Sequence, residues 1–210
     1  MESELSPFQD AVIHLPLERP LKAEVVLTLS LLHGLLNLDD AFHGASYLIT
    51  AIGHILLAEQ RIPSTPCMGL VGHRNGRFDH SWLEMKGAIY DLAIEYPRDA
   101  RAKQPMVVAG LHLDGTRPEI LYGLDPKPFE TPPHPDGDEA RTRSLSQYID
   151  TVSSLGAPVW SMLAELGSGR NLQLDAEQLR KKYAKTPWTL RDSLVLHRKM
   201  LSHRAPKRPN

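Results

Sequence analysis

Cysteine is nearly absent from this chain, because Cys67 is the only one in 210 residues. One thiol excludes a disulfide framework and any zinc site built from several thiolates. The longest nearly apolar run, 25–36, is interrupted by polar residues and is too short to cross a bilayer. The first seven residues also lack the basic region of a signal peptide. We therefore expect a cytoplasmic protein with no membrane partner, and no motif indicates a cofactor.

Acidic residues are almost missing from the end of the chain. Residues 180–210 contain ten Lys or Arg and one acid, Asp192, which gives +9 and leaves −10 on residues 1–179. One interpretation is a contact with nucleic acid or an acidic partner through residues 180–208, including a helix-turn-helix. The other interpretation is a solvated helix face, or a tail that lies on the acidic body of its own chain. The second is favoured, because charge balance alone is weak evidence for a partner.

The hydrophobic pattern predicts an α+β fold, in which N-terminal helices pack on a small antiparallel sheet. Helical spacing of apolar residues predicts helices over 21–36 and about 40–60, the second capped by Asp39 or Asp40. Strand-like composition between turn signals predicts five strands, at roughly 67–73, 78–85, 88–94, 106–113 and 119–122.

The second half of the chain is predicted to be helical after a loop. Five prolines within 125–138 disfavour helix and central strand there. Residues 140–166 and 174–201 are predicted to be helical, with breaks near 156–158 and at Pro187. The expected organisation has three parts: an α+β domain at 1–124, a proline-rich loop at 125–139, and a basic, helical C-terminal extension at 140–210.

Two tight turns predict which side chains meet on the sheet. If Asn75 and Gly76 form the first turn, Cys67 faces Glu84 across the hairpin. Cys67 and His80 are then separated by four residues along the strands, a distance of ~14 Å. If Lys86 and Gly87 form the second turn, Asp91 lies diagonal to His80, within side-chain reach. The sequence therefore predicts a His80 and Asp91 pair, and a Cys67 that is structural.

The stretch His80-Ser81-Trp82-Leu83-Glu84, followed by Lys86-Gly87-Ala88-Ile89-Tyr90-Asp91-Leu92, resembles the transglutaminase-like (papain-like) superfamily, and most closely its small bacterial members. Residues 42–48, the helix to Gln60 and the strand after it also resemble that family. The resemblance covers about residues 40–123. It implies that His80 is the general base and that Asp91 orients it. The family's nucleophilic cysteine opens this helix, where the sequence here has Phe42, His43 or Gly44.

The resemblance leaves three functions open. The first is a degenerate domain that binds a protein or peptide through a cleft with Phe42, His43, Ser46, Trp82 and Glu84. The second is an active amide hydrolase or acyltransferase, in which Cys67 or Ser46 attacks. The third is binding of nucleic acid or of an acidic partner through the basic C-terminal segment. A metal site formed by His43, His80 and Asp91 is chemically feasible, but no spacing requires one.

Overall fold

A computed structural model describes residues 5–38, 42–74, 76–124, 135–152, 159–168 and 172–191, and for 135–138 it describes only the backbone. The fold is α+β, as the sequence predicts. The described residues form seven α-helices: α1 Pro7–Ile13, α2 Ala23–Leu38, α3 Ser46–Glu59, α4 Pro135–Thr142, α5 Leu145–Val152, α6 Val159–Ser168 and α7 Ala176–Lys182. They also form five β-strands: β1 Thr65–His73, β2 Gly76–Met85, β3 Ala88–Tyr90, β4 Leu121–Leu124 and β5 Thr189–Arg191.

The strands form one mostly antiparallel sheet with the order β3-β2-β1-β4. The short strand β5 also pairs with β1, but in the parallel direction. Since β2 occupies one edge of β1, both β4 and β5 lie along the other edge. β4 pairs with residues 70–72 of β1 and β5 pairs with residues 67–69.

Helix α3 is the central helix of the fold, because nearly every side chain from Ser46 to Leu57 is buried. A helix that is apolar on all sides must be enclosed by other elements. α3 lies between α2 and the sheet, and Gly53 marks the closest approach, since a Cβ there would lie 2.9 Å from both Leu32 and Leu83. The N-terminal helices therefore form the layer that covers one face of the sheet.

α3 begins at Ser46, so the prediction of a helix from about Asp40 is wrong at that end. Gly44 has φ +75°, and its N–H donates to the carbonyl of Tyr96 at 2.7 Å. This left-handed residue turns the chain just before the helix. The proposed caps, Asp39 and Asp40, lie outside the described residues.

Residues 106–113 do not form the predicted strand. They make only isolated bridges, in which Asp91 pairs with Val107 and Val108 pairs with Leu111. Ala109 and Gly110 both have positive φ, +55° and +79°, and so turn the segment back on itself. The predicted strand at 119–122 is present as β4, shifted towards the C-terminus.

Two predictions for the second half need correction. Helix α4 begins at Pro135, within the predicted proline-rich loop, because proline is tolerated at the first position of a helix. The loop residues 125–134 and the break at 156–158 lie outside the described residues. Leu190 and Arg191 belong to strand β5 rather than to a helix, which removes the start of the second helix of the helix-turn-helix interpretation. Residues 192–201 also lie outside the described residues.

The two faces of the sheet have different partners. Ser81 faces α3, since its hydroxyl donates to the hydroxyl of Thr50 at 3.1 Å. Successive strand residues point to opposite faces, so His80, Trp82 and Cys67 face away from α3. That second face is covered by apolar side chains of the segment after β3, namely Ile94, Val107 and Ile120.

Candidate functional site

The side chains of His80 and Asp91 meet on the face of the sheet that points away from α3. Nε2 of His80 lies 3.0 Å and 2.8 Å from the two carboxylate oxygens of Asp91. The residues are 5% and 2% exposed, so the pair is closed off from bulk water. No hydrogen bond of the described residues engages Nδ1 of His80, whose ring packs edge-on against Phe78. The contact predicted from the sequence is confirmed.

The second turn brings this pair together. Leu83 pairs with Tyr90, which is the register that a turn at Lys86 and Gly87 predicts. Both turn residues have positive φ, as the favoured two-residue hairpin turn requires. Backbone hydrogen bonds of 2.7 Å and 2.9 Å between Asp91 and Val107 then hold Asp91 one residue beyond β3.

Tyr122 is a third member of this network, and the sequence pattern does not predict it. Its hydroxyl donates to Oδ2 of Asp91 at 2.9 Å, and the backbone N–H of Ile94 donates to Oδ1 at 3.2 Å. Burial, followed by the nearby Asp91 carboxylate, raises the pKa of Tyr122 well above its usual range. Tyr122 therefore remains a neutral donor, and Asp91 has three hydrogen-bonding partners.

The first hairpin has a different register from the one expected. His73 pairs with Gly76 at the end of the hairpin, so the turn begins one residue earlier than the sequence suggests. Cys67 consequently faces Trp82 rather than Glu84, and His80 faces Gly69. Cys67 and His80 are separated by two residues along the strands, ~7 Å, instead of ~14 Å. No hydrogen bond joins them among the described residues. Asn75 lies outside those residues.

The thiol of Cys67 lies in a second polar cluster on the same face. Cys67 is fully buried, and its thiol interacts with Glu84 and Arg191. Burial, and after it the charge of Glu84, raises the pKa of the thiol far above its usual range. Since the thiolate is the nucleophilic form, this environment disfavours nucleophilic attack by Cys67.

Glu84 is the centre of this second cluster. Its carboxylate accepts from Nε1 of Trp82 at 3.2 Å, and from Nε and a terminal nitrogen of Arg191 at 3.1 Å and 2.6 Å. The sequence does not indicate Arg191 as a member of the site, because its segment is predicted to be helical and basic. A ring contact between Trp82 and Tyr122, with centroids 5.0 Å apart, joins this cluster to the Asp91 network.

The remaining predicted cleft residues lie elsewhere in the fold. Ser46 is the first residue of α3, which packs on the sheet face opposite to His80. His43 packs against the ring of Tyr96 at 5.3 Å, and Phe42 packs against the core formed with α3. Trp82 and Glu84 share a sheet face with His80. Phe42, His43 and Ser46 instead lie just before α3 or at its start, and α3 packs on the other face. The five residues do not line one cleft.

The structure places a His, Asp and Tyr network beside a Cys, Glu and Arg cluster. No family model, curated protein or solved structure matches this chain. The described residues contain no group of three potential metal ligands, so His43 does not converge with His80 and Asp91. No helix within the described part of the chain is long and apolar enough to span a membrane.

Proposed function

We propose that this chain is a degenerate transglutaminase-like domain that acts in the cytoplasm as a protein- or peptide-binding module. The observation that carries the proposal is the division of the candidate catalytic groups between two clusters. His80 pairs with Asp91, whereas the thiol of Cys67 is buried with Glu84 and Arg191. A base and its orienting carboxylate without an activated nucleophile do not support covalent catalysis.

The cluster around Glu84 supports binding as the retained role. In this structure it already holds an extended segment, β5, through both backbone pairing and a charged side chain. Addition of a strand to a sheet is a common way to bind peptides, because backbone hydrogen bonds supply affinity and side-chain pockets supply specificity. The proposed binding region is therefore the part of the β1 edge that β5 occupies, together with the carboxylate of Glu84 beside it.

Alkylation of Cys67 tests the absence of catalysis. We expect the folded chain to resist iodoacetamide between about pH 6 and 8, because a buried thiol with a raised pKa is neither accessible nor ionised. The same chain in denaturant should be labelled, with a pH dependence that follows an ordinary thiol pKa of ~8.5. Rapid labelling of the folded chain at pH ~6 would reveal an activated thiolate and contradict the proposal.

Selection from a displayed library of random peptides tests the binding role. The full chain is immobilised, and enriched peptides are synthesised and titrated against it in solution by calorimetry. We expect a common motif among the enriched peptides, and mass spectrometry should recover these peptides unmodified after prolonged incubation. Cleavage or acyl transfer would show that the domain is an enzyme. The absence of any enriched peptide would contradict the binding role.

A further inference from the structure

Strand β5 lies in a slot that is lined by two glycines, Gly69 and Gly123. Neither has a side chain to obstruct the backbone of β5. Arg191 pairs with Gly69 of β1, and a Cβ at position 69 would overlap the carbonyl oxygen of Arg191. Gly123 of β4, which has φ +72°, is also close to Arg191, because a Cβ there would be 3.0 Å from the Cβ of Arg191. Any larger residue at position 69 would push β5 away from β1. The two glycines therefore shape a slot that fits an extended backbone.

The floor of the slot is specific for a guanidinium group. The carboxylate of Glu84 is 6% exposed and accepts two hydrogen bonds from Arg191, while the indole of Trp82 donates to the same carboxylate. The planar fork of arginine matches a carboxylate in this bidentate arrangement, and the single ammonium group of lysine does not. A buried carboxylate also needs a cationic or donor partner, because isolated burial of a charge is unfavourable.

The segment that fills the slot is short, and its charged side chain reaches solvent. β5 has three residues, and the side chain of Arg191 is 34% exposed. The slot itself is built by residues from β1, β2 and β4, which are held by the main sheet. Short elements with few contacts open at lower free energy than the elements they pack on. An external segment of the same chemistry can therefore compete for the slot.

We propose that this slot is a recognition site for an extended, arginine-bearing peptide of a partner protein, and that residues 189–191 occupy it in cis until a partner displaces them. The inference rests on the proposed function and names the class of peptide that the module binds. The partner's arginine takes the place of Arg191 on Glu84, and its backbone takes the place of β5 beside Gly69.

Occupation of the slot in trans tests this proposal on the full-length chain. Arg191→Ala removes the guanidinium of the resident segment, and the probe is a capped synthetic peptide with the sequence of residues 186–192. We expect this peptide to bind the Arg191→Ala chain at least tenfold more tightly than the wild-type chain, as measured by calorimetry. A peptide with lysine or alanine in place of its arginine should bind the variant at least tenfold more weakly.

Two further variants serve as controls. Glu84→Gln in the Arg191→Ala background should abolish the preference for arginine, because the carboxylate is lost while the shape is kept. Lys182→Ala removes an ion pair with Glu59, of 2.8 Å, that lies outside the slot, and it should bind the peptide no better than the wild type. If Arg191→Ala fails to fold by circular dichroism, Arg191→Lys retains the positive charge and is used in its place.

The outcomes separate this inference from the proposed function. Absence of peptide binding to a folded Arg191 variant, or binding that is indifferent to Glu84, overturns the arginine site. Library peptides that bind without arginine would also overturn it, and would leave the module's binding role intact. Arginine-dependent binding in trans, followed by cleavage or acyl transfer of the bound peptide, would support the slot and contradict the proposed function.

Discussion

The buried carboxylate of Asp91 has three hydrogen-bonding partners, and the hydroxyl of Tyr122 is one of them. Tyr122→Phe removes this donor and leaves the ring in place. We expect the free energy of unfolding in urea to fall by about 1–2 kcal/mol, since a charged buried acceptor loses a hydrogen bond. Tyr96→Phe is the matched control, because that hydroxyl donates to Asn37 in an exposed hydrogen bond of 3.0 Å. An equal loss in both variants would contradict the special role of Asp91.

Asp91→Asn separates a structural role of the His80 pair from a catalytic one. The substitution removes the charge that His80 and Tyr122 share, and we expect a loss of about 1–3 kcal/mol in unfolding free energy. Peptide binding should persist, because the slot at Glu84 does not contain Asp91. Unfolding is followed in urea and binding by calorimetry. A complete loss of biological activity at an unchanged melting temperature would instead indicate catalysis.

His54 makes stability depend on pH. Burial lowers its pKa to about 4, and the ring lies against Ser64, with Nδ1 2.9 Å from the hydroxyl, and edge-on to Tyr183. The unfolded chain binds the proton near pH 6.5, so this contribution to stability is complete above pH 6.5 and is lost as the pH falls towards 4. We expect a loss on the order of 2 kcal/mol over this range. His54→Gln should flatten the pH dependence of urea unfolding, and an unchanged curve would contradict the assignment.

The pairing of His80 with Asp91 could be predicted because both residues flank one short turn. A two-residue turn sets the register of its hairpin, and that register places the two side chains on one face. Tyr122 and Arg191 could not be predicted in the same way. They reach the site through β4 and β5, and nothing in a single sequence sets the register between strands that are far apart along the chain.

At the scale of elements, α3 illustrates how close packing limits substitution. A Cβ added at Gly34 in α2 would meet nothing within 4 Å, whereas a Cβ added at Gly53 in α3 would lie 2.9 Å from Leu32 and Leu83. We expect Gly34→Ala to stabilise the chain by about 0.5–1 kcal/mol, through better helix propensity. Gly53→Ala should destabilise it by about 1–3 kcal/mol, through overpacking. Thermal unfolding measures both, and similar shifts for the two variants would contradict the packing of α3 on the sheet.

Two of the segments that the sequence mispredicts share one cause, which is the influence of backbone turns on apolar segments. Residues 106–113 have strand-like composition, yet Ala109 and Gly110 adopt positive φ and reverse the chain. Residues 40–45 continue the apolar pattern of α3, yet Gly44 turns the chain before Ser46. In both places the apolar composition and the spacing of apolar residues indicate contact with the core. A loop can also make such contacts, when turn residues and tertiary contacts determine the path of its backbone.

At the scale of the whole molecule, the basic C-terminal segment is partly neutralised by its own chain. Three of its described cations contact acids elsewhere in the fold: Arg180 with Asp150, Lys182 with Glu59 and Arg191 with Glu84. Lys181 contacts Glu177 within its own helix, α7. This arrangement supports the interpretation of a segment that lies on the acidic body. The cations at 198–208 lie outside the described residues.

We therefore expect no specific binding of nucleic acid. Fluorescence anisotropy with labelled duplex and single-stranded DNA at about 50 mM salt should detect no complex of the full chain, because low salt favours any phosphate contact. Charge reversal at Arg198, Lys199, Lys207 and Arg208 is the control for weak association. Binding that disappears in this variant and falls steeply with added salt would contradict the expectation.

The shared edge of β1 also affects how the chain is made. Thr189 pairs with Cys67 across about 120 residues of sequence, so a ribosome working at about 5–20 residues per second needs about 6 to 24 s to deliver β5 after β1. During that interval, part of the β1 edge has no intramolecular partner, and an unpaired edge attracts strands of other chains. Newly made chains therefore expose this part of the edge until β5 is synthesised, and we expect their aggregation to increase with the concentration of unfinished chains.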